Sequence, residues 1–226
     1  MNALFLLMSI FVFSFILAFA ASYFIVKNEE IKLKKFYTKQ FTLAMFVYRC
    51  RLAIKNFILI SILTTVSLYV IGDSLFSFES IGLLKFGFLF IVMVAVDDVW
   101  FYFIHRTMHS NRFLYKHIHS VHHKAIPPIP MDYLFAHPIE ALGAAFGLII
   151  GVLVLILITG NANIYVLASY SFYRTMHELA VHSGFQIIPE KYLGIVGSSK
   201  HHFNHHKYHK GNYASAFTYL DKLFGT

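Results

Sequence analysis

The chain has 226 residues, 58% of them hydrophobic and only 13% charged, with a formal net charge of +8. A soluble domain carries about 25% charged residues, so this composition and the mean hydropathy of +0.62 exclude that class and argue against nucleic acid as the partner of the positive charge. In a membrane protein such an excess reports topology, and the single Cys50 excludes an intrachain disulfide framework.

Residues 3–26 form an apolar run without a charge. About 20 such residues cross the hydrocarbon core, which predicts a transmembrane helix. The run is too long for a cleaved signal peptide, and no basic segment precedes it. Between 27 and 55 the sequence turns basic, with Lys27, Lys32, Lys34, Lys35, Lys39, Arg49, Arg51 and Lys55 against Glu29 and Glu30. A solvated cytoplasmic segment touching anionic headgroups is expected here. A second span is predicted at 56–71, then a loop bearing Asp73 and Glu79 on the opposite side, and a third span at 81–104 that returns the chain to the cytoplasm.

The third span ends in VDDVWFYFIHR. Asp97 and Asp98 are costly near a span's end unless paired or solvated. Two uses stay open: a carboxylate behind a metal-bound imidazole, or an interfacial pair beside the aromatic belt of Trp100 to Tyr102.

Directly after it, residues 105–123 (HRTMHSNRFLYKHIHSVHH) hold six of the 14 histidines, and HHFNHH at 201–206 answers them. His105 and His109 are four apart. His119, His122 and His123 fall at i, i+3, i+4, and His202, His205 and His206 repeat that pattern. Residues three and four apart share one face of an α-helix, so each triplet is expected to aim its rings at a common point. One metal takes about three or four protein ligands. Eight clustered histidines therefore predict two metals in one pocket, of a kind that imidazole suits, such as iron or zinc.

Pro127, Pro128 and Pro130 break any helix and predict an extended crossing. Pro138 is well placed as a first helical residue. Residues 139–176 read as a helical hairpin that enters and leaves on the cytoplasmic side, interrupted at Thr159 to Asn163. Gly143, Gly147 and Gly151, spaced by four, favour close helix contact in lipid. His177 and His182 are five apart and diverge by roughly 140° on a helix; His182, followed by Ser183 and Gly184, is the better ligand candidate.

The motifs HRTMH, HSVHH, AHPIE, VHSG, HHFNHH and NYASAFTYLDKLFGT resemble those of the fatty acid hydroxylase/sterol desaturase superfamily of membrane di-iron enzymes, over about residues 95–226. VHSGFQ, the second triplet and GNYASAFT are most similar to the C-4 methylsterol monooxygenase branch. The resemblance implies an all-α integral membrane protein with about three spans, a helical hairpin and a cytoplasmic His-rich helical cap. Residues 1–80 would be an N-terminal membrane anchor region and 81–226 the catalytic domain. It implies metal ligands at His105, His109, His119, His122, His123, His202, His205 and His206, with His182 added; His201 ligates or supports, His177 has no counterpart in that branch, and His117 and His209 are peripheral.

Two iron ions are implied as cofactors and O₂ as co-substrate, acting on a C–H bond of a sterol or other lipid drawn from the bilayer. Hydroxylation or methyl oxidation is the expected reaction and desaturation its alternative within the superfamily. Electrons are expected from a cytochrome b5- or ferredoxin-type partner, since the sequence has no GxGxxG or CxxCH motif. The expected location is the endoplasmic reticulum of a eukaryote or the inner membrane of a bacterium, with the histidines on the cytoplasmic face. A His-rich metal transporter or metal-binding protein is the alternative from another class. It would carry ionisable groups along its spans, whereas the clusters here gather at one face.

Overall fold

In lipid every backbone polar group must be bonded within the protein, which leaves helices as the form open to these apolar runs. A computed structural model describes residues 2–28, 30, 31, 41–71, 73–187 and 194–226. Ala3–Lys27 is one helix (α1), started by Asn2, whose side chain accepts from the backbone of Phe5. Leu43–Ile71 is the second (α2) and Leu83–Ser110 the third (α3). A short helix, Arg112–His117 (α4), follows Asn111, whose side chain caps it. Two 3-10 segments, His119–Lys124 and Pro130–Leu134, complete the crossing. The chain then forms Pro138–Thr159 (α5), Ile164–Val181 (α6), Ser199–Tyr208 (α7) and Tyr219–Phe224 (α8). Among the described residues four helices are long and apolar enough to cross a membrane: α1, α2 from Leu43 to Val70, α3 and α5.

The second span thus begins well before the predicted residue 56, and part of the supposed solvated segment is helical. Ala, Leu, Met, Arg and Lys are all good helix formers. Arg51 and Lys55 stay exposed, but Arg49 is only 2% exposed and is paired with Asp132 at 2.7 Å. An internal partner, not water, carries its charge. Lys32, Lys34, Lys35 and Lys39 lie outside the described residues.

Pro138 opens α5 behind His137, whose Nδ1 accepts from the Ile139 backbone. The helix closes at Gly160, where a φ of 81° suits glycine. Asn163 starts α6 by accepting from Tyr165 and Val166 N–H groups. The turn between them is held by a short parallel pairing of Phe76–Ser77 (β1) with Ala162–Asn163 (β2). Twenty-two residues of α5 measure about 33 Å, so this turn lies a full bundle length from the histidines near Pro138. The glycine stripe of α5 faces α3: a Cβ on Gly147 would stand 2.0 Å from Asp97 Oδ1, and one on Gly151 2.8 Å from Met93 Sδ. Trp100 Nε1 donates to Gly143 O at 2.8 Å across the same seam.

Helices α1 and α2 are tied to the segment after the first histidine triplet. Ser22 Oγ accepts from Met131 N (2.8 Å), Arg49 also donates to Pro127 O (2.8 Å), and Asn56 Nδ2 donates to Leu134 O and Ala136 O (2.9 and 2.8 Å). A crossing that has few bonds of its own, being proline-rich, takes them from side chains of neighbouring helices.

Candidate metal centre

His105 and His109 hang from the last turns of α3, His119, His122 and His123 from the 3-10 turn, His182 from the end of α6, and His202, His205 and His206 from α7. They form two groups. One holds His105, His109, His119, His123 and His205, the other His122, His182, His202 and His206; within each group one nitrogen per ring lies within 4.8 Å of all the others. Neither triplet meets at a single point as expected; each is divided between the two groups. On α7, His202 and His206 differ by about 40° around the axis while His205 lies about 60° to the other side. In the tighter 3-10 turn, His119 and His122 point alike but are stacked about 6 Å apart along the axis, with ring centroids 5.9 Å apart.

Four of the nine ring tautomers are fixed from behind. A carbonyl oxygen only accepts, so Nδ1 must donate in His105 (to Tyr213 O, 2.8 Å), His122 (Phe135 O, 3.0 Å), His182 (Glu178 O, 2.8 Å) and His205 (Gly211 O, 2.7 Å). His119 Nδ1 faces the Glu140 carboxylate at 2.8 Å. In a neutral ring Nε2 is then a bare lone pair. Burial keeps these rings neutral: it pushes His119 down to about 3 and His182 to about 4, and holds His122, His202, His205 and His206 below the ordinary 6.5.

Yet these Nε2 atoms face one another. His105 and His119 are 3.1 Å apart, His109 and His205 3.1 Å, His123 stands 3.1 and 3.0 Å from His109 and His119, His122 and His206 are 3.1 Å apart, and His182 and His202 3.0 Å. His105 gives its Nδ1 proton to Tyr213 O, so its Nε2 meets His119 as a lone pair, and one ion between the rings would draw such lone pairs together. Ligands about 2.1 Å from one ion and at right angles are about 3.0 Å apart, which matches all six contacts. The donor set, nine neutral imidazoles in groups of five and four, fits two iron ions.

The remaining five of the 14 histidines stand outside the groups. His201 turns to Asp221 at 3.2 Å, and His177 to Ser215 O at 3.0 Å. His117 packs on Phe113, His137 caps α5, and His209 stacks on His123 with centroids 4.6 Å apart. Asp97 and Asp98 reach no histidine: Asp97 binds Arg174 Nε at 2.7 Å, and Asp98 accepts from Ala216 N at 2.9 Å. The carboxylate behind an imidazole is Glu140. Sequence reasoning quoted it in AHPIE without giving it a role; the available signal was an acid in the first turn of a helix that opens on a histidine and a proline.

Residues 90–226 match the fatty acid hydroxylase family. The chain belongs to that family. All nine clustered histidines and Glu140 lie inside the match, while Ser22, Arg49 and Asn56 precede it. Fatty acid hydroxylase relatives include methylsterol monooxygenase 1 of Rattus norvegicus, 37% identical over 58% of this chain and 44% of its own length. A putative methylsterol monooxygenase of Dictyostelium discoideum is 37% identical over 58% of this chain and 47% of its own. A very-long-chain aldehyde decarbonylase of Oryza sativa subsp. japonica is 38% identical over 58% and 49%. The matched stretch thus spans about half the length of these relatives. No solved structure matches the chain.

A cavity of about 180 Å³ adjoins the histidines. His105, His119, His122, His182 and His202 line it, together with apolar residues that include Leu7, Phe11, Ile60, Ile104, Ala144 and Leu148. It lies between helices long enough to span the bilayer, and both histidine groups face it.

Proposed function

We propose that this protein is a membrane-bound di-iron oxygenase that hydroxylates a sterol or another lipid. The observation that carries this reading is the meeting of two buried histidine groups with a largely apolar cavity between apolar helices. His105, His109, His119, His123 and His205 would hold one iron and His122, His182, His202 and His206 the other. When bound, the metal pair supplies activation of O₂ and removal of hydrogen from an unactivated C–H bond.

The chain's own residues prepare the place for that chemistry. Backbone carbonyls of Tyr213, Phe135, Glu178 and Gly211 hold Nδ1 protons and keep Nε2 free. Glu140 Oε1 takes the corresponding place behind His119, the position from which a carboxyl orients a ligating ring. The apolar walls desolvate a lipid chain and exclude water from the histidines. We assign catalysis to residues 81–226 and infer that 1–80 anchors it and closes the cavity, since Leu7, Phe11 and Ile60 come from α1 and α2. Electrons would arrive from a separate cytochrome b5- or ferredoxin-type protein, with the histidines at the cytoplasmic face.

Relatives named for methylsterol oxidation support a sterol substrate; the rice relative, named for very-long-chain aldehydes, supports a straight-chain lipid as the second reading. The experiment uses purified protein in lipid nanodiscs, loaded with iron, given a reducing ferredoxin or cytochrome b5 system, ¹⁸O₂, and either a 4-methylsterol or a long-chain lipid. Incorporation of ¹⁸O into one lipid is expected. Protein holding two irons that labels neither would overturn the reading.

A further inference from the structure

Besides the histidines, the cavity is lined by polar side chains, most of which have partners within the protein. Ser171 Oγ donates to Leu167 O at 2.8 Å and Thr175 Oγ1 to Ser171 O at 3.1 Å, both within α6. Arg174 donates to Asp97 and to Ala144 O. Ser215 Oγ donates to Glu178 Oε1 at 2.9 Å. Tyr133 differs. It comes from the 3-10 segment Pro130–Leu134, lines the same cavity, and has a buried hydroxyl without a hydrogen-bond partner among the described residues.

Most buried hydroxyls in folded proteins are bonded, because leaving one unmade forfeits its hydration with nothing in return. An orphan hydroxyl on a ligand cavity is therefore a group waiting for the ligand. Burial and the carboxylate of Glu178 push the phenol above its ordinary value, so it keeps its proton and donates. Its position is held from outside the cavity: the segment's neighbours Met131, Asp132 and Leu134 are bonded to Ser22, Arg49 and Asn56. The ring thus sits on a fixed mount at the cavity wall, with a hydroxyl that has no partner of its own.

We propose that Tyr133 is the residue that orients the substrate in the cavity, donating a hydrogen bond to an oxygen atom carried by the lipid. This rests on the reading of the cavity as the lipid site. The oxygen has two sources of shared chemistry, the hydroxyl of a sterol ring or the head oxygen of a straight chain. A lipid bound in this way is fixed against sliding along apolar walls, which by themselves offer no register.

The test is binding of matched probe pairs to iron-loaded protein in nanodiscs: a 4-methylsterol against its 3-deoxy analogue, and hexadecan-1-ol against hexadecane. Wild type is expected to prefer the oxygenated member of one pair, which identifies the source. Tyr133→Phe, which removes only the hydroxyl, is expected to lose that preference by roughly ten-fold with the deoxy probe, iron content and melting temperature unchanged. Equal affinities of wild type and Tyr133→Phe for the oxygenated probe, or an equal loss for both members of the pair, would overturn the role of Tyr133 and leave the cavity reading intact. Failure of wild type to bind any of the four lipids would overturn the cavity reading and the proposal with it.

Discussion

His119 Nδ1 and Glu140 Oε1 stand 2.8 Å apart, both buried, joining the first histidine triplet to the opening turn of α5. This contact sets which nitrogen of His119 faces the rest of its group. It also couples the histidines that line the cavity to the helix whose glycine stripe packs on α3.

Replacing Glu140 by Gln keeps the shape and a hydrogen-bond acceptor but removes the ionisable carboxyl behind His119. Metal affinity is expected to fall about 10- to 100-fold, the usual effect of losing a partner behind a ligand, with little change in melting temperature of the metal-loaded protein. Titration with Fe(II) or Zn(II) against a competing chelator checks this. Wild-type affinity would show that the contact does not tune the site.

His205 and His206 are adjacent in sequence but serve different groups. His205→Ala and His206→Ala are each expected to lower bound metal from two ions per chain toward one and to abolish oxidation. Combining His205→Ala with His109→Ala should leave the second ion in place, because both residues belong to one group. Metal analysis of the three variants decides whether the division into groups is real.

Arg49 and Asp132 form an ion pair at 2.7 Å with side chains only 2% and 0% exposed. Breaking a buried pair by removing one partner costs about 3–5 kcal/mol, so Arg49→Ala should unfold at markedly lower temperature. The histidine-bearing crossing should lose protection from hydrogen exchange first. Arg49→Lys, with the charge but without the forked geometry that reaches Pro127 O and Asp132 together, should recover part of the loss.

The histidines also set a pH dependence. Burial lowers His119 to about 3 and His182 to about 4, against 6.5 for an unperturbed ring. Between those values and 6.5 the unfolded chain binds protons that the folded chain refuses, so stability rises with pH through that window and is complete above it. Metal-free protein is therefore expected to melt at progressively lower temperature as pH falls from 7 to 5. Bound metal should soften the decline near pH 7 and be released as the rings protonate. A melting temperature of the metal-free protein that is flat from pH 7 to 5 would contradict neutral buried rings.

Much of this was legible in the residues. The apolar run at 3–26 gave α1 nearly at its observed bounds and the run at 81–104 gave the start of α3, but α3 continues six residues past 104 to Ser110 and carries His105 and His109 on its last turns. The start of α2 was not legible: Arg49, Arg51 and Lys55 lower the local hydropathy, and only the fold reveals that Asp132, 83 residues away, meets Arg49. Spacing brought the clustered histidines to notice, but not their division, since that depends on whether the local turn is α or 3-10. Asp97 was legible as a costly group yet its partner, Arg174, lies 77 residues on. Long-range partners of buried charges are what a single sequence conceals.

The central claim is a centre of two irons held by five and four histidines. The most direct measurement is metal content per chain, by mass spectrometry, of protein reconstituted with Fe(II) without oxygen and passed through a desalting column. The account predicts close to two irons per chain, both retained against a mild chelator. One iron, or metal that the chelator strips at once, would contradict it.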